Sequence, residues 1–173
     1  MLLGLIMLKV AFNKKLREDK IIITITNIKW INLNSVSDDR GSLTAIESGQ
    51  KINFDIKRVF YIHDVEKGAD RGGHSHRDTD QLAVAVHGSL KIVISDGVDS
   101  RLVILDSPEW GIMLPRMTWA SLFDFSEGAV CLVLSSTHYD RSKSIRTWSE
   151  YLAERNLPEC QEHKSGTLFP CPV

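Results

Sequence analysis

The chain has 173 residues and a mass of 19.5 kDa, enough for one ordinary domain and little more. Hydrophobic residues make up 43% and charged residues 25%, which excludes disorder and collagen-like repeats. Lys plus Arg number 21 and Asp plus Glu 22, and the resulting net charge of −1 excludes the electrostatic footprint of a chain that coats nucleic acid. An anionic ligand would have to be held by a local cluster of cations.

Residues 1–12 are mostly apolar. A run of that length is too short to span a bilayer. No basic segment precedes it and no small-residue cleavage site follows, so it does not read as a signal peptide. It reads as a strand, a subunit-contact arm or an upstream start, with Met7 an alternative first residue. Further on, the pattern is one of short strands. Residues 21–26 are β-branched, and 57–63 are aromatic and β-branched. Residues 81–86 form a short apolar run closed by the turn signal His87-Gly88-Ser89. Residues 90–95 follow, ended by the hairpin signal Asp96-Gly97. Residues 102–105, 111–114, 118–124 and 130–135 continue the series. Strands recurring about every ten residues, separated by Gly, Asp and Pro, predict an all-β sandwich or barrel. Only residues 145–155 have the composition and spacing of a helix.

Three cysteines, Cys131, Cys160 and Cys171, form no disulfide framework and point to the cytoplasm. Cys131 lies in an apolar run and reads as core. Cys160, His163 and Cys171 lack a fourth ligand and a compact zinc spacing, so the tail reads as frayed rather than metal-bound.

One constellation is dense. Gly68 is followed by five residues and then His74-Ser75-His76; four residues later comes Gln81, and six after that Gly88. Two histidines at i and i+2 of a strand share a face, which in a barrel can be the interior. The Gly72-Gly73 pair before them permits a sharp turn into the strand. The spacing resembles the first motif of the cupin superfamily, with Gln81 where that motif has Glu. Gln offers a metal only a neutral amide oxygen. Residues 108–119, where the second cupin motif would place another His, contain none. The expectation is therefore a retained barrel without metal or other cofactor, whose two free imidazoles do acid–base work near neutral pH. Two satisfied core histidines are the structural alternative.

Further segments are similar to the nucleotide-sugar 3,4-ketoisomerases that act on dTDP-4-keto-6-deoxyglucose. They are Asp39-Arg40-Gly41-Ser42-Leu43 with Glu47, residues 56–62, Arg71-Gly72-Gly73-His74-Ser75-His76, Gln81, residues 108–119 ending in Trp119, and Tyr139-Asp140 with Ile145-Arg146. Ser75 stands where Ala is common, and Ser144 stands where Tyr is usual before Ile-Arg. The resemblance covers roughly residues 25–152. It implies a cupin (RmlC-like) jelly-roll barrel with a short C-terminal helix. The expected division is an N-terminal arm over 1–24, the barrel with its helix over 25–152 and a tail over 153–173.

The implied activity isomerises a thymidine-diphosphate-linked 4-keto-6-deoxysugar to the 3-keto isomer, in deoxysugar, O-antigen or S-layer glycan biosynthesis. Homodimers with an exchanged N-terminal strand are implied too. The C3 hydrogen is acidic because it is alpha to the carbonyl. Its removal gives an enediol, and a proton returned to C4 completes the reaction without redox. His74 and His76 are the expected base and proton shuttle, in an order the sequence leaves open. Tyr61 is expected as a donor or relay, with a core aromatic as the alternative. Arg71 could pair with the diphosphate or be a solvated loop residue. Arg58 and Gln81 are candidate pocket groups, and Trp119 is a pocket wall or buried core. The competing functions are a 4-ketosugar 3,5-epimerase, a metal-dependent cupin enzyme and a non-catalytic sugar-binding cupin.

Overall fold

The computed structural model describes residues 28–157. The expected strand at 21–26, the arm over 1–24 and the tail residues Cys160, His163 and Cys171 lie outside the described residues. In chain order the strands are β1 (Trp30–Asn32), β2 (Val36–Asp38), β3 (Gly41–Leu43), β4 (Arg58–Ile62), β5 (Arg71–His76) and β6 (Gln81–His87). They continue as β7 (Leu90–Ser95), β8 (Ser100–Leu105), β9 (Trp110–Leu114), β10 (Trp119–Phe123), β11 (Val130–Ser135) and β12 (Ser144–Ile145). One helix, α1 (Trp148–Glu154), follows. Two five-stranded sheets, ordered β1-β9-β6-β11-β4 and β12-β5-β10-β7-β8, make an antiparallel jelly roll, and β2-β3 is a separate hairpin.

Alternation along the strands builds the core. Ala83, Ala85, Ile112, Cys131 and Val133 of the first sheet meet Ile92, Ile94, Val103 and Leu122 of the second. The opposite face of the first sheet is also covered. Leu82, Val84, Met113 and Leu134 pack under Leu33, Ile52 and Phe54 from the segment between β1 and β4. Strand β6 is therefore buried on both sides, which is why its sequence reads as a continuous apolar run. Burial pushes the Cys131 thiol up to about 12, consistent with the core role expected of it. The turn expected at Asp96-Gly97 joins β7 to β8, and the Asp96 carboxylate accepts from the N–H groups of Val98 and Asp99.

The expected helix over 145–155 is shorter at its start. Ile145 belongs to β12, and Thr147 is the N-cap, accepting from the N–H of Glu150. That pairing is half of a capping box. The helix continues to Glu154, two residues past the expected barrel boundary at 152. It packs on the outer face of the second sheet through Tyr151, Trp148, Ile145 and Trp119. The Tyr151 hydroxyl reaches the carbonyls of Ser95 (3.1 Å) and Met117 (2.9 Å). Among the described residues no helix is long and apolar enough to cross a membrane.

Candidate active site

Strand β5 carries the two histidines into the barrel. Gly72 (φ +81°) and Gly73 (φ +64°) lie in the left-handed region, and the β5–β10 register shifts between Ala120 and Ser121. A Cβ on Gly72 would sit 2.6 Å from the Ala120 carbonyl oxygen, so only glycine lets the two strands close here. His74 and His76 then face a cavity that also meets Phe60, Gln81, Thr118 and Ala120. Ser75 between them is fully buried away from that cavity.

The two rings converge. Their Nε2 atoms are 3.2 Å apart, with ring planes at 86° and centroids at 4.8 Å. Neighbouring elements hold them. The carbonyl of His76 accepts from the N–H of Met117 at 2.7 Å. Met117 itself is a non-glycine residue at φ +58°, pinned on its other side by Tyr151. Backbone held in so sparsely populated a region is typical of functional sites. On β12, Ser144 lies in register with His76, and its hydroxyl is 3.4 Å from His76 Nδ1.

Electrostatics keep both rings uncharged. Burial pushes His76 down to about 4, and His74, Arg58 and Arg146 add to that push while Asp78 opposes it. Burial also lowers His74, again reinforced by Arg146 and Arg58. Both histidines are thus neutral near pH 7 and able to accept a proton. Arg58 is a second unusual group. Its guanidinium lies over the rings of Phe60 (4.9 Å) and Tyr139 (5.2 Å) and reaches Ser135 Oγ at 3.4 Å. Its Nε is buried without a hydrogen-bond partner. A partly buried cation with an unspent donor favours an anionic oxygen. Gln81 Nε2 donates to the same Ser135 Oγ at 3.2 Å.

The fold brings His74, His76, Gln81 and Arg58 together. It does not bring in Tyr61 or Trp119. Strand β4 turns Arg58, Phe60 and Ile62 toward the interior, so Tyr61 lies on the other face, 63% exposed with its ring against His63. The expectation of a Tyr61 phenol in the site, or of Tyr61 as a core aromatic, is corrected on that ground. Phe60 occupies the inward position and has no hydroxyl. Trp119 likewise alternates away from the cavity and is 3% exposed beneath α1, so its core alternative holds. Arg71 is exposed at the start of β5 and reaches only the Asp70 carbonyl, at 3.3 Å. Ser135 and Phe60 were not anticipated as site residues. The polar end of an otherwise apolar β11 is the signal that could have pointed to Ser135.

Among the described residues no group of three or more His, Cys, Asp or Glu side chains is placed to hold a metal ion. The arrangement that is present, two neutral imidazoles and a partly buried guanidinium in a jelly-roll interior, defines a cupin-type barrel equipped for proton transfer beside an oxyanion.

Comparison with known proteins agrees. The family described as FdtA (WxcM-like, C-terminal) matches residues 26–156, and the chain belongs to that family. It is 39% identical over 132 residues to the TDP-4-oxo-6-deoxy-alpha-D-glucose-3,4-oxoisomerase of Aneurinibacillus thermoaerophilus, covering 75% of this chain and 95% of that protein. It is similar in structure to QdtA, a sugar 3,4-ketoisomerase from Thermoanaerobacterium thermosaccharolyticum solved with TDP. There the TM-score is 0.75 and the identity 37%, over 77% of this chain and 97% of the other. A 3,4-ketoisomerase from Helicobacter canadensis matches with a TM-score of 0.73 and 36% identity, over 75% of this chain and 98% of that one.

Proposed function

We propose that this chain is a sugar 3,4-ketoisomerase that converts TDP-4-keto-6-deoxyglucose to the corresponding 3-keto sugar. The observation that carries the reading is the convergent pair of neutral histidines, His74 and His76, in the interior of a barrel of this family. One imidazole takes the C3 proton through its lone pair and becomes an imidazolium. The electron pair of the C3–H bond becomes the C3–C4 double bond, and the former carbonyl oxygen O4 takes the negative charge. Arg58 stabilises that enolate oxygen. The O3 proton then moves to O4, C4 takes a proton back from the imidazolium, and C3 becomes the carbonyl. Protons and electrons balance within substrate and histidines, so the scheme needs no cofactor. A spacing of 3.2 Å lets the pair share the proton it has collected.

Gln81 orients a sugar oxygen beside Ser135, and Arg71 meets the diphosphate from the exposed start of β5. The working unit is a homodimer with an exchanged N-terminal strand, in the cytoplasm. The dimer is supported by the family resemblance and by Val59 and Tyr61, which stand exposed on the outer face of edge strand β4.

The test is incubation with TDP-4-keto-6-deoxyglucose in D₂O, followed by proton NMR. Loss of the C3 proton signal and appearance of a 3-keto product is the expected result. Deuterium entering at C5 would assign an epimerase instead, and no exchange at any carbon would leave a binding protein.

A further inference from the structure

Arg58 is a long, flexible cation, and its aim decides whether it can meet an enolate oxygen. Little in its polar surroundings sets that aim. The side-chain hydrogen bond it makes, to Ser135 Oγ, is long at 3.4 Å. Among the described residues no carboxylate lies within ion-pair distance of it. What touches the guanidinium instead is aromatic. Its central carbon lies over the rings of Phe60 and Tyr139, 4.9 and 5.2 Å from their centroids. Phe60 shares the inward face of β4 with Arg58. Tyr139 arrives from beyond the end of β11 and is 61% exposed.

Tyr139 is anchored on both sides. Upstream, the N–H of Ser136 donates to the Asp80 carbonyl and the N–H of Asp80 donates to Ser136 Oγ, each at 2.9 Å. The hydroxyls of Thr137 and Thr79 meet at 2.6 Å. Downstream, the Asp140 carboxylate accepts from the N–H and the hydroxyl of Ser142 and caps the 3₁₀ turn Arg141–Lys143. An exposed ring buries little apolar surface, so core packing does not account for a residue held this firmly.

A ring face suits this cation better than a carboxylate would. The negative face of an aromatic ring attracts a guanidinium electrostatically and leaves its N–H groups uncommitted to any oxygen. A carboxylate would accept two of those N–H groups and cancel the charge. Arg58 Nε is buried and has no hydrogen-bond partner, so the cation is oriented and still has a donor to give.

We propose that Tyr139 is a positioning residue: its ring face, with that of Phe60, holds the Arg58 guanidinium beside the cavity with donors free for the enolate oxygen. This rests on the role given to Arg58 in the proton-transfer reading of the site. It assigns the work to the ring of Tyr139 and none to its hydroxyl.

The experiment compares Tyr139→Leu, which removes the ring, with Tyr139→Phe, which keeps it. Because Tyr139 is exposed, neither change should disturb the fold. The first readout is the NMR signal of the Arg58 Nε–H group, assigned by its loss in Arg58→Lys. It should move in Tyr139→Leu, where a ring current is lost, and stay in place in Tyr139→Phe. The second readout is turnover of TDP-4-keto-6-deoxyglucose. Tyr139→Leu should lower kcat about two- to tenfold, the weight of one cation–π contact, with KM little changed, and Tyr139→Phe should keep native kcat. An Arg58 signal unmoved in Tyr139→Leu overturns the proposal, as does a kcat there equal to native. An equal loss of kcat in both variants would give the role to the hydroxyl, and a raised KM with native kcat would make the ring a substrate contact; either also overturns it. The NMR readout needs no substrate, so it separates a failure of this inference from a failure of the isomerase assignment.

Discussion

His76 and Arg77 are adjacent in sequence and live in opposite electrostatic worlds. Arg77 leaves the barrel and meets two carboxylates of α1, Glu150 at 2.8 Å and Glu154, together with the Ser142 carbonyl. His76 enters the barrel, where burial outweighs the opposing pull of Asp78 and holds it down to about 4. The contrast shows a division of labour at the end of β5. The residue just past the strand spends charge pairs on holding the helix, and the strand's inner side withholds them so that imidazoles remain neutral. A carboxylate beside His76 would raise its pKa and take up its proton-accepting capacity.

The largest expected effect breaks the inner side. His74→Asn and His76→Asn should each lower kcat by about 10²–10⁴-fold, the usual weight of a general acid or base, with circular dichroism unchanged. Near-native turnover in both would remove the assignment. In the native enzyme the acid limb of kcat/KM should fall below pH 6.5. Both histidines have lowered pKa values, so their basic forms persist as the pH drops through the ordinary histidine range. A limb at or above 6.5 would mean that burial does not govern the pair.

An intermediate effect breaks the outer side. Arg77→Ala leaves Glu150 and Glu154 without their shared cation. It should cost about 1 kcal/mol in a urea titration, since these pairs are partly exposed. Its kcat should stay within about threefold of native if the outer network serves the fold alone. The smallest effect tests the face assignment within β4. Tyr61→Phe should change kcat by less than about twofold, because a surface substitution away from the site is nearly neutral. A large loss would return Tyr61 to the mechanism.

Much of this was legible beforehand. The strand series was read closely: 90–95 and 130–135 coincide with β7 and β11. The shared face of His74 and His76 follows from their spacing, and the motif around them from its resemblance to the cupin motif. Errors fell where phase mattered. A one-residue slip along a strand sends every side chain to the other face, and a run such as Arg58-Val59-Phe60-Tyr61-Ile62 is apolar or aromatic on both. Its composition therefore does not say whether Phe60 or Tyr61 looks inward. Pairing of β4 with β11 decides it, placing Phe60 opposite Val133 of the core.

By itself the sequence determined an all-β sandwich or barrel with two histidines on one strand face, because period-two alternation and a Gly-Gly turn are local properties; the choice of a barrel came from the cupin resemblance. Only the tertiary structure decided what surrounds those histidines. The Nε2 contact, the arrival of Ser144 from β12, the stacking of Arg58 on Tyr139 and the removal of Trp119 beneath α1 depend on sheet register and long-range pairing. Such contacts join residues far apart in the chain, and no local pattern encodes which of them meet.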